Sequence, residues 1–189
     1  LSLVDILMGE ERYALHPLTR NFVREELLSD VQIARETGMS FANYWTAYAQ
    51  QYGGDSKESY KTYDRLEAEW PNLEAAAEWL WQTAGVRSKS VGDEQALHIL
   101  NDLVEALSQF LWFSGRWNEA LQLSTRTFEG LRALNNWSVA GWRAYDVAWI
   151  CYHRANNDMA TEWADRSDEM WRLGGSKYEQ ATGMYIRGM

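Results

Sequence analysis

An offset of 40 residues separates two stretches of this chain that follow one pattern, and that repeat constrains the fold more than any other feature. Gly115-Arg116-Trp117-Asn118-Glu119-Ala120-Leu121 aligns with Ala155-Asn156-Asn157-Asp158-Met159-Ala160-Thr161. The same register sets Leu107 against Val147, Leu111 against Cys151, Trp112 against Tyr152 and Ser124 against Ala164. One step further, Tyr145 falls on Tyr185 and Ala148 on Gly188. Each unit reads as a helix, a short turn and a second helix whose small residue allows close approach. Such a unit buries its apolar face only by stacking on neighbours, so the expected fold class is all-α, a solenoid of helical hairpins.

Composition agrees with helices that are seldom broken. The 189 residues include only 2 Pro, where average usage would give roughly nine. Acidic residues outnumber basic ones by 27 to 18, for a net charge of −9, and the imbalance runs throughout: 7 acids to 4 bases in residues 1–38, 20 to 14 in 39–189. That leaves no basic stripe for direct nucleic-acid binding. The longest compact apolar runs, Phe110–Phe113 and Val147–Tyr152, fall far short of the roughly 18 residues of a membrane helix. Cys151 is the single cysteine, so no internal disulfide can form. With no signal-peptide pattern at the start, a cytoplasmic chain away from membranes is expected. It opens Leu1-Ser2-Leu3 without Met and closes at Met189 in helical sequence, which leads us to expect a piece of a longer polypeptide.

Strand character is confined to residues 1–15. Leu1–Leu7 has apolar residues on both faces, Met8-Gly9-Glu10-Glu11 suits a tight turn, and Arg12-Tyr13-Ala14-Leu15 reads as a short returning strand. Pro17 fits the first turn of a helix whose apolar face is Leu18, Phe22, Val23 and Leu27. Beyond Ser40 the pattern is helical almost everywhere. Phe41, Tyr44, Trp45 and Tyr48 form an aromatic face that ends at Gly53-Gly54. Tyr60, Tyr63, Leu66 and Trp70 follow, and Pro71 interrupts or restarts the helix. Leu73, Ala76, Ala77, Leu80 and Trp81 continue to a stop at Gly85. Residues 86–94 are expected to form a flexible loop.

The helix pair around Gly115, Trp117 and Ala120 resembles tetratricopeptide repeats, in a form longer than the usual 34 residues. The stretch Arg12-Tyr13-Ala14-Leu15-His16-Pro17-Leu18-Thr19-Arg20-Asn21-Phe22-Val23 resembles the end of the winged-helix domain in NB-ARC-type ATPases, of the STAND class of signalling nucleoside triphosphatases. Glu69-Trp70-Pro71-Asn72-Leu73-Glu74-Ala75-Ala76-Ala77-Glu78-Trp79 is similar to the helix that follows that domain in bacterial members. The resemblance implies a winged-helix remnant with a short β-hairpin at 1–30, degenerate linking helices at 31–92 and tetratricopeptide-like repeats at 93–189, the last one truncated.

It also implies a role for His16. In the family, a Met-His-Asp or Leu-His-Asp triplet sets its histidine against the β-phosphate of bound ADP. Leu15-His16 matches the first two positions, while Pro17 replaces the aspartate. The competing reading is a histidine that satisfies backbone groups at a strand–helix junction. No G-x-x-x-x-G-K-[S/T] loop occurs in the chain. The resemblance therefore assigns ADP or ATP to the intact protein and no cofactor or hydrolytic activity to this piece. It also makes the upstream nucleotide-binding domain of the same polypeptide a partner.

In tetratricopeptide repeats, five positions of the first helix usually line the concave face. Mapped on the 40-residue register, they are Asp102, Glu105, Gln109, Trp112 and Phe113 in one repeat and Trp142, Tyr145, Trp149, Tyr152 and His153 in the next. Six aromatic residues and an imidazole among ten positions favour a protein, peptide or small effector, including a cation held against ring faces. The alternative is that neighbouring helices cover these rings as core. Catalytic and metal patterns are weak. Cys151 and His153 stand two residues apart and so point to different helix faces. His16, His98 and His153 are scattered without zinc spacing. The expected function is thus a regulatory, effector-binding arm and not an enzyme, with a plain tetratricopeptide scaffold as the alternative.

Overall fold

The computed structural model describes residues 4–7, 12–54, 58–86 and 91–188. The chain divides into two compact units, Leu1–Ser40 and Phe41–Met189. Apart from two four-residue strands, every described element is helical.

In the first unit, β1 (Val4–Leu7) pairs antiparallel with β2 (Arg12–Leu15), with Val4 opposite Leu15 and Leu7 opposite Arg12. The turn expected at Met8–Glu11 lies outside the described residues. Helix α1 (Pro17–Ser29) opens on Pro17, whose fixed φ and missing N–H suit a first turn. Its apolar residues Leu18, Phe22 and Val23 are exposed. Helix α2 (Val31–Tyr52) starts where the Asp30 carboxylate accepts the N–H groups of Gln32 and Ile33, at 2.9 and 3.0 Å. Those are two of the donors that a helix start leaves without an internal partner.

The second unit begins with the rest of α2. The side packed inward is made of Ala42, Thr46 and Ala49, while the aromatics run alongside as a chain of ring contacts. Tyr44 to Trp45, Trp45 to Tyr48 and Tyr48 to Tyr52 are 5.0, 5.2 and 4.6 Å between centroids, and Arg65 closes the row 4.8 Å over Tyr52. A 3₁₀ turn (Ser59–Thr62) leads into α3 (Tyr63–Ala68) and α4 (Trp70–Ala84). Pro71 therefore restarts the helix, and Gly85 ends it in the left-handed conformation at φ 56°. Of the loop expected at 86–94, residues 87–90 lie outside the described residues. Beyond them, Gly92 and Asp93 donate back to the Ala84 carbonyl.

Helices α5 (Glu94–Phe113), α6 (Trp117–Ala133), α7 (Trp137–His153), α8 (Asn157–Gly174) and α9 (Lys177–Arg187) then pack in sequence. The turns after α5, α6 and α7 share one geometry. Gly115, Asn135 and Ala155 take φ of 73°, 57° and 56°. At each turn two N–H groups fold back on the last helical carbonyls: Gly115 to Trp112 and Arg116 to Leu111, Asn135 to Arg132 and Asn136 to Leu131, Ala155 to Tyr152 and Asn156 to Cys151. This doubly bonded C-terminal cap reappears every 20 residues, half the offset visible in the sequence. Turns this short make successive helices antiparallel. The core between α6, α7 and α8 is built on Phe128, Leu131, Ala144, Val147, Cys151 and Trp163.

Glu179 ties α9 to α7. It exchanges hydrogen bonds with Ser176 at the helix start, Ser176 N–H to Oε2 at 2.7 Å and Glu179 N–H to the Ser176 hydroxyl at 3.3 Å. Its other oxygen accepts from the Ser138 hydroxyl at 2.6 Å and the Trp142 indole at 2.9 Å. Burial opposes the charge on this carboxylate, but the hydrogen bonds from Ser138, Ser176 and Trp142 outweigh it and hold the pKa below the ordinary value.

Candidate functional site

A cavity of about 230 Å³ opens between α5, α6 and α7, lined among others by Ser108, Gln109, Trp112, Ser124, Tyr145 and Trp149. Helical spacing explains how it is built. Ser108, Gln109 and Trp112 fall on one stripe of α5, and Tyr145, Asp146 and Trp149 on the facing stripe of α7. Four of the ten positions expected on a concave face, Gln109, Trp112, Tyr145 and Trp149, therefore share one cavity.

The rings are held in place by one another. Tyr145 and Trp149 stack with planes 10° apart and centroids 6.1 Å apart. Trp112 lies 6.5 Å from Trp149 and stacks at 5.1 Å on Trp117, whose indole N–H donates to the Trp112 carbonyl at 3.0 Å. His153 meets Trp112 and Trp149 edge-on at 4.8 and 4.7 Å. The stacked Trp117 thus presets the orientation of Trp112 before any ligand arrives. Tyr145 is half-buried, and burial raises its phenol pKa, with smaller contributions from Tyr185, Asp146 and Tyr178.

Charge enters at the cavity wall. Asp146 lines the cavity beside Tyr145 and Trp149. Its Oδ2 is buried without a hydrogen bond and stands 3.4 Å from the Nε of Arg143. Arg143 is itself buried, and its terminal amine donates to Glu105, which leaves its Nε–H and other terminal nitrogen without hydrogen bonds. Burial pushes the Asp146 carboxyl up from 3.8 to about 6, with Arg143 lowering it and Glu105 raising it. Two carboxylates thus surround one guanidinium.

The remaining expected positions lie elsewhere. Asp102 and Glu105 line a second opening of about 300 Å³ with Gln50, Gly54 and Ser108. Phe113 is exposed, 6.5 Å from Tyr63. Trp142 is half-buried under α8 and α9, edge-on to Trp171 at 5.1 Å and bonded to Glu179. Tyr152 and His153 are exposed at the end of α7. In the first unit His16 is exposed at the start of α1, and its Nδ1 accepts the Leu18 N–H at 3.3 Å. Burial raises the Cys151 thiol pKa.

Sequence reasoning by repeat position passed over Arg143, Asp146 and Trp117. A signal was present for the first two: they are the only Asp, Glu, Lys or Arg residues in α7, spaced i and i+3 in a helix made mostly of apolar and aromatic residues. Among the described residues no group of three or more His, Cys, Asp and Glu side chains could hold a metal ion. No helix among them is long and apolar enough to cross a membrane. No family model matches the chain, and no match was found among curated proteins or solved structures.

Proposed function

We propose that this chain is the sensor arm of a signal-transducing STAND-class ATPase, a tetratricopeptide-like solenoid preceded by the end of a winged-helix domain. In this reading the groove between α5 and α7 takes a protein segment, peptide or small effector. The observation that carries it is the aromatic cavity of about 230 Å³, whose Trp112 is oriented by stacking on Trp117. Oriented rings bordering an open volume are suited to binding, because little freedom is lost when a ligand arrives.

The first unit supports the nucleotide side of the proposal. Leu18, Phe22 and Val23 on α1 are exposed, as expected of a face completed by an upstream nucleotide-binding domain. His16 accepts a backbone N–H at Nδ1, which places the proton of the neutral imidazole on Nε2. A phosphate oxygen of ADP needs such a donor. An effector then shifts the switch only by its difference in affinity for the closed and open states.

The test has two arms. A thermal-shift screen of metabolites and short peptides should give ligands that stabilise the chain but not Trp149→Ala; a broad panel without any such differential refutes groove binding. In the full-length polypeptide that this reading requires, His16→Ala should speed ADP release, and unchanged release rates refute the sensor role. The plain scaffold is the second reading, favoured by the exposed Leu173, Tyr178, Met184 and Tyr185 near the end of the array. A full-length sequence without a phosphate-binding loop would select it.

A further inference from the structure

We infer that the cavity between α5, α6 and α7 recognises an organic cation, an alkylammonium or guanidinium group bordered by Trp112, Tyr145 and Trp149 and neutralised by Asp146. This rests on the groove being the binding face proposed above and adds the chemical class of what it takes.

Three observations converge. The first is the ring geometry. Trp112 comes from one helix and Tyr145 and Trp149 from another, with centroids 6.1 and 6.5 Å from Trp149. Aromatic faces carry negative potential, and a cation within about 6 Å of several rings is attracted by each. This chain already uses that contact internally. Arg116 lies 4.6 Å over Trp70, Arg126 5.6 Å over Trp81, Arg154 6.0 Å over Trp117 and Arg166 4.3 Å over Trp163. The three cavity rings share their space with a carboxylate.

The second is charge. Asp146 lines the cavity with a partly exposed side chain, while its buried Oδ2, without a hydrogen bond, lies 3.4 Å from the Nε of Arg143. Arg143 does not cancel it, because its guanidinium is divided between Asp146 and Glu105, so the cluster is net negative when both carboxyls are ionised. Burial favours the proton on Asp146 in the empty cavity, and an arriving cation would favour the ionised form. An anion would meet like charge and the negative ring faces. A neutral ligand could stack on the rings but would gain no charge attraction from the carboxylate.

The third is size. About 230 Å³ is below the roughly 300–1,000 Å³ of pockets for drug-sized ligands. It suits one head group or one side chain. Gln109, Ser108 and Ser124 line the same space, side chains of types that accept hydrogen bonds from N–H groups.

The experiment is a titration of the full 189-residue chain, followed through the indole N–H signals of Trp112 and Trp149 by NMR. The probes are agmatine, butylammonium and N-acetyl-arginine methylamide, with N-acetyl-citrulline methylamide as the neutral near-isostere. The inference expects saturable shifts from the cations and binding about tenfold weaker for citrulline, with a comparable loss in Asp146→Asn. The two amine probes and the capped arginine separate a free amine from the side chain of a basic peptide. Saturable binding by either source supports the cation site.

Equal binding of citrulline, or undiminished cation binding by a folded Asp146→Asn, overturns the inference, as does the absence of saturation by every cation. Asp146→Asn keeps shape and volume and leaves every ring in place, so the charge test does not depend on the fate of a tryptophan variant. A neutral compound that needs Trp149 would sustain groove binding while overturning the cation assignment. A chain that binds neither cations nor any screened compound loses both.

Discussion

The indole of Trp171 in α8 lies across Gly141 in α7. Its Nε1 donates to the Ser138 carbonyl at 3.1 Å, and a Cβ added at Gly141 would stand 2.2 Å from that nitrogen. Ser167 closes the same contact, its hydroxyl donating to the Gly141 carbonyl at 2.9 Å. The absence of a side chain at one position thus sets how closely two helices approach, and Trp171, fully buried, fills the space.

Gly141→Ala should therefore destabilise the fold although alanine is the better helix former. The helix gain is about 1 kcal/mol, while overpacking a filled core costs about 1–3 kcal/mol. Trp171 is fully buried against Gly141, so a net loss of up to about 2 kcal/mol is expected. Urea unfolding measures it as a lower midpoint at unchanged slope. A midpoint equal to or above that of the parent would show that the indole can move.

Ala155 offers the opposite case. It holds φ of 56° at a turn where Gly115 performs the same task at 73°, and a Cβ there meets the following carbonyl. Ala155→Gly should relieve this strain and stabilise the chain by about 0.5–1 kcal/mol, after the greater freedom of glycine in the unfolded chain is allowed for. For a chain of this length the melting temperature should rise by about 2–4 °C per kcal/mol. Gly115→Ala should lower it. A rise in Tm on Gly115→Ala would contradict the shared turn geometry.

Asp146 carries a pH signature. Its pKa is pushed up from 3.8 to about 6 by burial, against Arg143 and with Glu105. The folded chain then holds this proton more tightly than the unfolded chain. Stability from this group is greatest below pH 3.8 and is lost as pH rises towards and through 6. Asp146→Asn should thus gain on the parent by about 1–2 kcal/mol at pH 7–8 and lose that advantage near pH 4. Chemical denaturation at both pH values measures the difference. A gain that is the same at both would remove Asp146 ionisation as its cause.

Much of this was legible in the residues themselves. The 40-residue offset points to helical hairpins, Pro71 and Gly85 mark the start and stop of α4, and the ten positions mapped from the repeat resemblance include Gln109, Trp112, Tyr145 and Trp149, which border the cavity. These are local properties. A period of 3.6 residues, a fixed φ or a missing Cβ acts within one turn of chain, and the sequence by itself determined which residues share a helix face and where helices break.

Only the tertiary structure decided which of those faces stays open. Trp142 and Trp149 are alike in kind, both tryptophans and both on α7. Trp142 gives its indole N–H to Glu179, 37 positions away, while Trp149 borders the cavity. The 20-residue turn period was likewise concealed, because glycine, asparagine and alanine occupy one backbone geometry at 115, 135 and 155 and a comparison of side chains does not register it. The charge at the cavity wall has the same origin. Arg143 and Asp146 stand out in α7, but Glu105 on α5 is what draws the guanidinium away from full pairing with Asp146. Coverage and charge balance depend on atoms brought together from distant parts of the chain, and no local periodicity encodes those encounters.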